Sequence, residues 1–193
     1  VNKIDDNFNF TLANLLKLNK QISFKWLIFC SPSIEKCLSK INKEHNFIKV
    51  VTDRNQSLYG YYSSFLKNYM KYFTYYINLQ SGNILFFDGL AKAIQISKQP
   101  RVLIVVCSIL NKNKLIYDSK IKFNSINNSD DNFFKEHIPN LLIKTEAHKV
   151  YGNQKIKDFN FAISNLYQII ASKKPSQIKF CSKILGYVSP KTF

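Results

Sequence analysis

The stretch Ile96-Ser97-Lys98-Gln99-Pro100-Arg101 sets a hydroxyl, an ammonium and a guanidinium on one proline-containing corner. These are phosphate donors: the ammonium acts as a point charge and the guanidinium as a planar fork. Other chemistry-bearing residues do not assemble by spacing. Cys30, Cys37, Cys107 and Cys181 make no Cys-x-x-Cys pair, and with His45, His137 and His148 they give no zinc spacing. They read as free thiols of a reducing compartment. Glu35 and Glu44 share one expected helix but lie nine residues apart, too far to act together. Asp130-Asp131 reads as a solvated turn, and His45 as a helix end facing the last carbonyls. There is no glycine-rich phosphate loop and no Gly-x-Ser-x-Gly elbow. The sequence therefore predicts no catalytic residue, no metal, no cofactor and no enzyme.

Charge points to a partner. Twenty-eight Lys and Arg against 12 Asp and Glu leave a net charge of +16 on 193 residues. Such an excess bears on partners rather than on fold, and counterion release favours nucleic acid. Only Arg54 and Arg101 are arginine, so backbone contact is expected to outweigh base reading. The heavy use of Asn, Ile, Phe, Tyr and Lys suits an A/T-rich, organellar genome. Tyr59, Tyr61 and Tyr62 offer rings for base stacking, although such tyrosines more often pack half-buried. Hydrophobic residues make up 46%, enough for a packed core. The longest apolar runs, such as Val102 to Cys107, fall short of the ~20 residues that span a bilayer. No membrane partner and no secretory signal are expected.

The elements that must hold the corner read as an α+β fold. Thr11 caps a helix with Leu12, Leu15 and Leu16 at helical spacing. A strand follows over Ile22–Cys30. Ser31-Pro32-Ser33 opens a second helix, with Ile34, Leu38 and Ile41 as its buried stripe and Asn46 as a left-handed cap. Phe47–Val51 is the next strand. Tyr69 to Val105 reads as a strand meander, two apolar runs around Ser81-Gly82-Asn83 and a third beyond the corner. Residues 111–131 suggest a linker or long hairpin, 158–171 a helix, and Ile184–Val188 a last strand. The expected organisation is an N-terminal α/β domain over 1–108, with an insertion near 52–68. A smaller C-terminal domain of mixed strands and helix, with insertions near 111–132 and 144–160, takes 109–193.

This order resembles the small-subunit ribosomal protein eight family. Leu12-Ala13-Asn14-Leu15-Leu16 stands where that family has Ile-Ala-Asp-Met-Leu. Cys30 through Ile48 is similar to its Pro-x-Ser-Lys turn and helix, with Asn46-Phe47-Ile48 replacing Gly-Phe-Ile. Ile96 to Arg101 looks like its Ile-Ser-Lys-Pro-Gly-x-Arg turn. The match covers roughly residues 8–106. Further on, Ile138-Pro139-Asn140-Leu141-Leu142 looks like a family helix start, and Ile169 to Lys174 like its Ile-Ile-Ser-Thr-Ser-Lys loop. Ile184 to Val188 looks like its final strand. The resemblance implies a structural constituent of the small ribosomal subunit that binds and orders the central domain of its rRNA. The partners would be small-subunit rRNA and neighbouring ribosomal proteins, with no small-molecule substrate. The location would be the mitochondrial matrix. RNA contacts would come from Ser97, Lys98 and Arg101 at the corner, from Ser172, Lys173, Lys174 and Ser176 near the C terminus, and from Ser33, Lys36 and Lys40 on the second helix. The alternative is a lineage-specific, non-enzymatic subunit of another organellar complex, using aromatic-rich insertions for protein contacts.

Overall fold

Asp5 starts the first helix, α1 (Asp6–Asn19), by accepting the Phe8 N–H at 3.0 Å on its carboxylate. The computed structural model describes residues 4–52, 58–111, 114–117, 141–152 and 159–187. Thr11, expected as the cap, lies one turn inside. Phe8, Thr11, Leu15 and Leu18 are buried, a three-and-four spacing that gives one inward face. Strands β1 (Trp26–Cys30) and β2 (Ile48–Thr52) pair in parallel, Trp26 opposite Ile48 and Cys30 opposite Thr52. A parallel pair needs a crossover. It is supplied by the 3₁₀ turn Pro32–Ile34 and α2 (Glu35–Glu44), close to the expected helix. The left-handed cap at Asn46 does not form: His45 ends α2 in an extended conformation. Among the described residues the left-handed positions are Arg101, at φ 67°, and Gly82, at φ 91°.

The expected meander is mostly helix and turn. Helix α3 (Leu58–Ser64) runs through a π turn (Phe65–Tyr69) and a 3₁₀ turn (Met70–Tyr72). Two short strands follow, β3 (Tyr75–Tyr76) and β4 (Ile84–Leu85). Ala93-Ile94-Gln95-Ile96 belongs to α4 (Phe87–Ser97), not to a strand. Its buried residues are Gly89, Leu90, Ala93 and Ser97, one face of a 3.6-residue period. The alternation at Ile94 and Ile96 was local and misleading. The Ser-Gly-Asn break is a turn as expected, closed by the Asn83 N–H on the Gln80 carbonyl at 3.1 Å.

The second half adds β5 (Ile104–Asn111), β6 (Lys114–Tyr117), β7 (Leu141–Lys144), α5 (Glu146–Tyr151), α6 (Phe159–Lys173) and β8 (Ile178–Tyr187). Leu141-Leu142, read by resemblance as a helix start, is strand. Residues 118–140 and 153–158, which hold much of the expected insertions, lie outside the described residues. The larger sheet runs β3-β7-β5-β8-β4, with β6 also on β5. β5 is its centre, parallel to β8 and antiparallel to β7 and β6. Every residue from Val102 to Ile109 is buried, as a strand covered on both faces requires. The position 108/109, taken above as a domain boundary, falls inside β5. Buried apolar residues from Phe8 to Leu185 form a single cluster. The α+β class expected from the sequence is the class observed.

Two polar side chains on α1 tie it to the segment that follows β3. Thr11 donates to the Asn83 carbonyl at 2.9 Å and accepts the Gly82 N–H at 2.8 Å. Asn14 donates to the Leu85 carbonyl at 3.0 Å and accepts the Leu85 N–H at 2.9 Å. The Thr11→Val variant keeps the shape of Thr11 but removes the hydroxyl that joins α1 to Gly82 and Asn83, while the Gly82 N–H keeps its 3.0 Å hydrogen bond to the Asn7 carbonyl. It is expected to lose about 1 kcal/mol, the usual net worth of an intramolecular hydrogen bond. Thr11→Ser should retain most of that. Urea unfolding of the two variants side by side checks the difference.

Candidate functional site

Beside β1 lies a groove of about 250 Å³. One edge of β1 pairs with β2; Lys25 to Phe29 also form one wall of the groove. Phe8 and Thr11 of α1, Tyr61, Tyr62 and Phe65 of α3 and the π turn, and residues 73 and 75–81 complete its lining. The lining is aromatic and ordered ring upon ring. Phe8 stacks on Trp26 with centroids 5.8 Å apart, and Phe29 lies 5.8 Å from Tyr61. Phe65 packs against Tyr76 at 5.0 Å. Aromatic residues can flank a planar heterocycle with little loss of side-chain entropy.

Polar groups are few and placed. Thr11 and Asn78 lie along the walls, and the Ser81 hydroxyl oxygen is buried there with no hydrogen-bond partner among the described residues. Lys25 sits at the lip, its ammonium donating to the Asn46 carbonyl at 2.7 Å. Lys49 lies 4.9 Å above the ring of Tyr69, which itself packs edge-on against Phe29 at 6.1 Å. Lys144 lies 6.0 Å from the ring of Tyr75. None of the lining residues is acidic. Among the described residues no group of three or more His, Cys, Asp and Glu is placed to hold a metal ion.

Behind the groove, Tyr62, Tyr76 and His148 meet. The Tyr76 hydroxyl is 2.6 Å from His148 Nε2, and the Tyr62 hydroxyl is 3.2 Å from the same nitrogen and 3.4 Å from Tyr76. Burial pushes the His148 imidazole down to about 4, so the ring is neutral at pH 7. Burial foremost, then the Tyr62 hydroxyl, push the Tyr76 phenol well above its usual range. With both groups neutral, Tyr76 donates and Nε2 accepts, which assigns the ring proton to Nδ1. The cluster fixes the rings that form the back wall. No spacing in the sequence signals it: His148 is 72 residues from Tyr76 and 86 from Tyr62.

The ten residues expected to contact RNA lie elsewhere, and none lines the groove. Ser97 is buried, with its hydroxyl donating to the Ile94 carbonyl at 2.7 Å. Lys98 and Arg101 are exposed at the end of α4, so the corner brings two of its three donors to the surface. Ser33 is exposed and shares a 2.7 Å hydrogen bond with Ser31, while Lys36 and Lys40 are exposed on α2. Ser172, Lys173, Lys174 and Ser176 are exposed where α6 gives way to the 3₁₀ turn Pro175–Gln177; the Ser172 hydroxyl donates to the Ile169 carbonyl. What the sequence reading missed is the groove. Its one local signal was the run of aromatic residues from Tyr69 to Tyr76, which was read as strand.

No family model matches the sequence, and no curated protein matches it. Solved structures do match by fold. S. aureus TarS 1-349 has a TM-score of 0.68 at 12% identity, over 97% of this chain and 58% of that one. TarS 1-349 in complex with UDP-GlcNAc gives 0.63 at 13%, over 95% and 56%. The same protein in complex with UDP gives 0.62 at 13%, over 94% and 56%. The chain thus spans less than two thirds of each of these TarS chains. At this identity the likeness shows the fold. It corrects the resemblance to ribosomal protein eight, because nearly the whole chain follows a different fold. The structural role in the small ribosomal subunit, with rRNA and neighbouring ribosomal proteins as partners, is withdrawn with it. So are the non-enzymatic alternative and the exclusions of catalysis and of a small-molecule substrate. The error has a physical origin. A helix capped near Asn-Phe-Ile before a strand marks any β-α-β crossover, and the Ile-Ser-Lys corner marks the end of a helix.

Proposed function

We propose that this chain is the nucleotide-sugar-binding part of a glycosyl-transfer enzyme, with the groove beside β1 as its donor site. The observation that carries the reading is the fold likeness, over 95% of the chain, to TarS 1-349 in complex with UDP-GlcNAc. The groove supports it independently. Its aromatic walls suit a planar base, its buried Ser81 hydroxyl suits a polar ring substituent, and Lys25 at the lip suits a diphosphate. In the transfer, the bond between the anomeric carbon and the diphosphate oxygen breaks, the acceptor hydroxyl oxygen forms the new one, and the hydroxyl proton passes to the departing diphosphate or to water. The nucleoside diphosphate leaves with the negative charge. Positive charge placed where that anion develops favours the step, and Lys25 is the proposed source.

Trp26 is the chain's single tryptophan and lines the groove, so its emission reports on occupancy. Titration with UDP or UDP-GlcNAc is expected to change that emission saturably. Trp26→Leu, read by calorimetry, is expected to weaken binding about tenfold or more, since base–aromatic stacking is worth roughly 1–3 kcal/mol. Unchanged emission together with no heat at millimolar nucleotide sinks the proposal. UDP release on adding hydroxyl acceptors tests the transfer step itself.

A further inference from the structure

Cys107 and Cys181 face one another across the parallel β5–β8 pair. Neighbouring strands lie ~4.8 Å apart, and residues paired in register project to the same face. That separation is inside the Cα–Cα range of a disulfide, about 4.4–6.8 Å. Both side chains are buried, at 0% and 1% exposure, and both are thiols rather than halves of a disulfide. Just past this pair the register breaks: Ser108 faces Ile184, so Ser182 and Lys183 form a bulge in β8. A bulge leaves its extra residues out of the ladder, and this one lies beside the two paired cysteines. The other two cysteines have no such arrangement: Cys30 is buried in β1 and Cys37 is exposed on α2.

We propose that Cys107 and Cys181 are a redox-active dithiol that closes to an intrachain disulfide when it meets a small-molecule disulfide such as oxidised glutathione. In the first step the Cys181 sulfur attacks one sulfur of the oxidant. The oxidant's S–S bond breaks, one thiolate leaves, and a mixed disulfide remains on Cys181. Cys107 then attacks the Cys181 sulfur and expels the second thiolate. The two cysteines lose two electrons, the oxidant gains them, and the two thiol protons end on the two released thiols. Cys181 is the better attacker. The hydrogen bond from the Cys107 thiol, then one at the Lys183 backbone and the charges of Lys92 and Lys183, hold it below the ordinary thiol range against the effect of burial. Closing the bond fastens the centre of the sheet across its own bulge.

The test uses the whole chain with Cys37→Ser, which removes the exposed thiol and with it cross-linking between molecules. The protein is incubated in glutathione redox buffer, both folded and during refolding, then alkylated under denaturing conditions and digested. The expected result is a peptide joining Cys107 to Cys181, the loss of two hydrogens, and full reversal by dithiothreitol. Adding Cys107→Ser should trap a glutathione adduct on Cys181. Cys107 and Cys181 both alkylated in both preparations, or a stable glutathione adduct on either cysteine with its partner intact, overturn the proposal.

Discussion

Gly89→Ala is expected to cost about 3 kcal/mol or more and to leave little folded chain. Helix α4 lies directly on β8, and at Gly89 the two backbones come close. A methyl group there would overlap the Ile184 carbonyl oxygen and lie 2.6 Å from its carbon and 2.7 Å from the Leu185 Cα. These are backbone atoms, so no side chain can swing aside. Leu185 is wholly buried, and β8 is held between β5 and β4. Overpacking a core usually costs about 1–3 kcal/mol; two backbones that cannot yield put this site at or above the upper end. Lys92→Ala, exposed on the same helix, is the control and should be near neutral. Thermal melts by circular dichroism compare them. A Gly89→Ala protein as stable as the control would mean that α4 does not approach β8 as described.

The second large effect is a dependence of stability on pH, set by His148. The unfolded imidazole titrates near 6.5, and the folded one is pushed down to about 4 by burial. Above pH 6.5 both states are neutral and the full stability is present. As pH falls below 6.5 the unfolded chain takes up a proton that the folded chain refuses, so stability falls. The fall continues to about pH 4, where the folded ring protonates too. Its size is on the order of 2–3 kcal/mol, from about 1.4 kcal/mol per pKa unit with some allowance for the ring's partial exposure. His148→Gln keeps an acceptor for Tyr76 but does not titrate. Urea unfolding at pH 7 and at pH 4.5 should therefore show a smaller loss in the variant than in the native chain. Equal losses in the two proteins would remove His148 as the source.

What the sequence made legible was local. The α2 crossover between two strands, the Gln80–Asn83 turn and the long helix ending at Lys173 follow from caps, glycine and period. The Tyr69–Val105 segment failed because a two-residue alternation at Ile94 and Ile96 competed with a helical stripe whose buried members are small, Gly89, Ala93 and Ser97. Small residues carry little hydrophobic signal, yet they are what lets α4 sit close on β8. The groove was illegible for another reason. Its walls come from α1, β1, α3 and the segment after β3, and its back is fixed by a histidine far along the chain. Only pairing across the sheet brings these together. Charge misled in a different way. It says that anions are welcome, not whether the anion is a polymer or a diphosphate.

The order of the central strands has a consequence for how the chain is made. β5 is translated before its parallel partner β8, which follows roughly 70 residues later, Ile104 awaiting Ile178. Until then an apolar ribbon from Val102 to Ile109 has only local or antiparallel company, and long-range parallel pairing is slow to form. The nascent protein therefore passes through a period in which its stickiest segment is unguarded, and holdase binding at that stage would serve it better than speed.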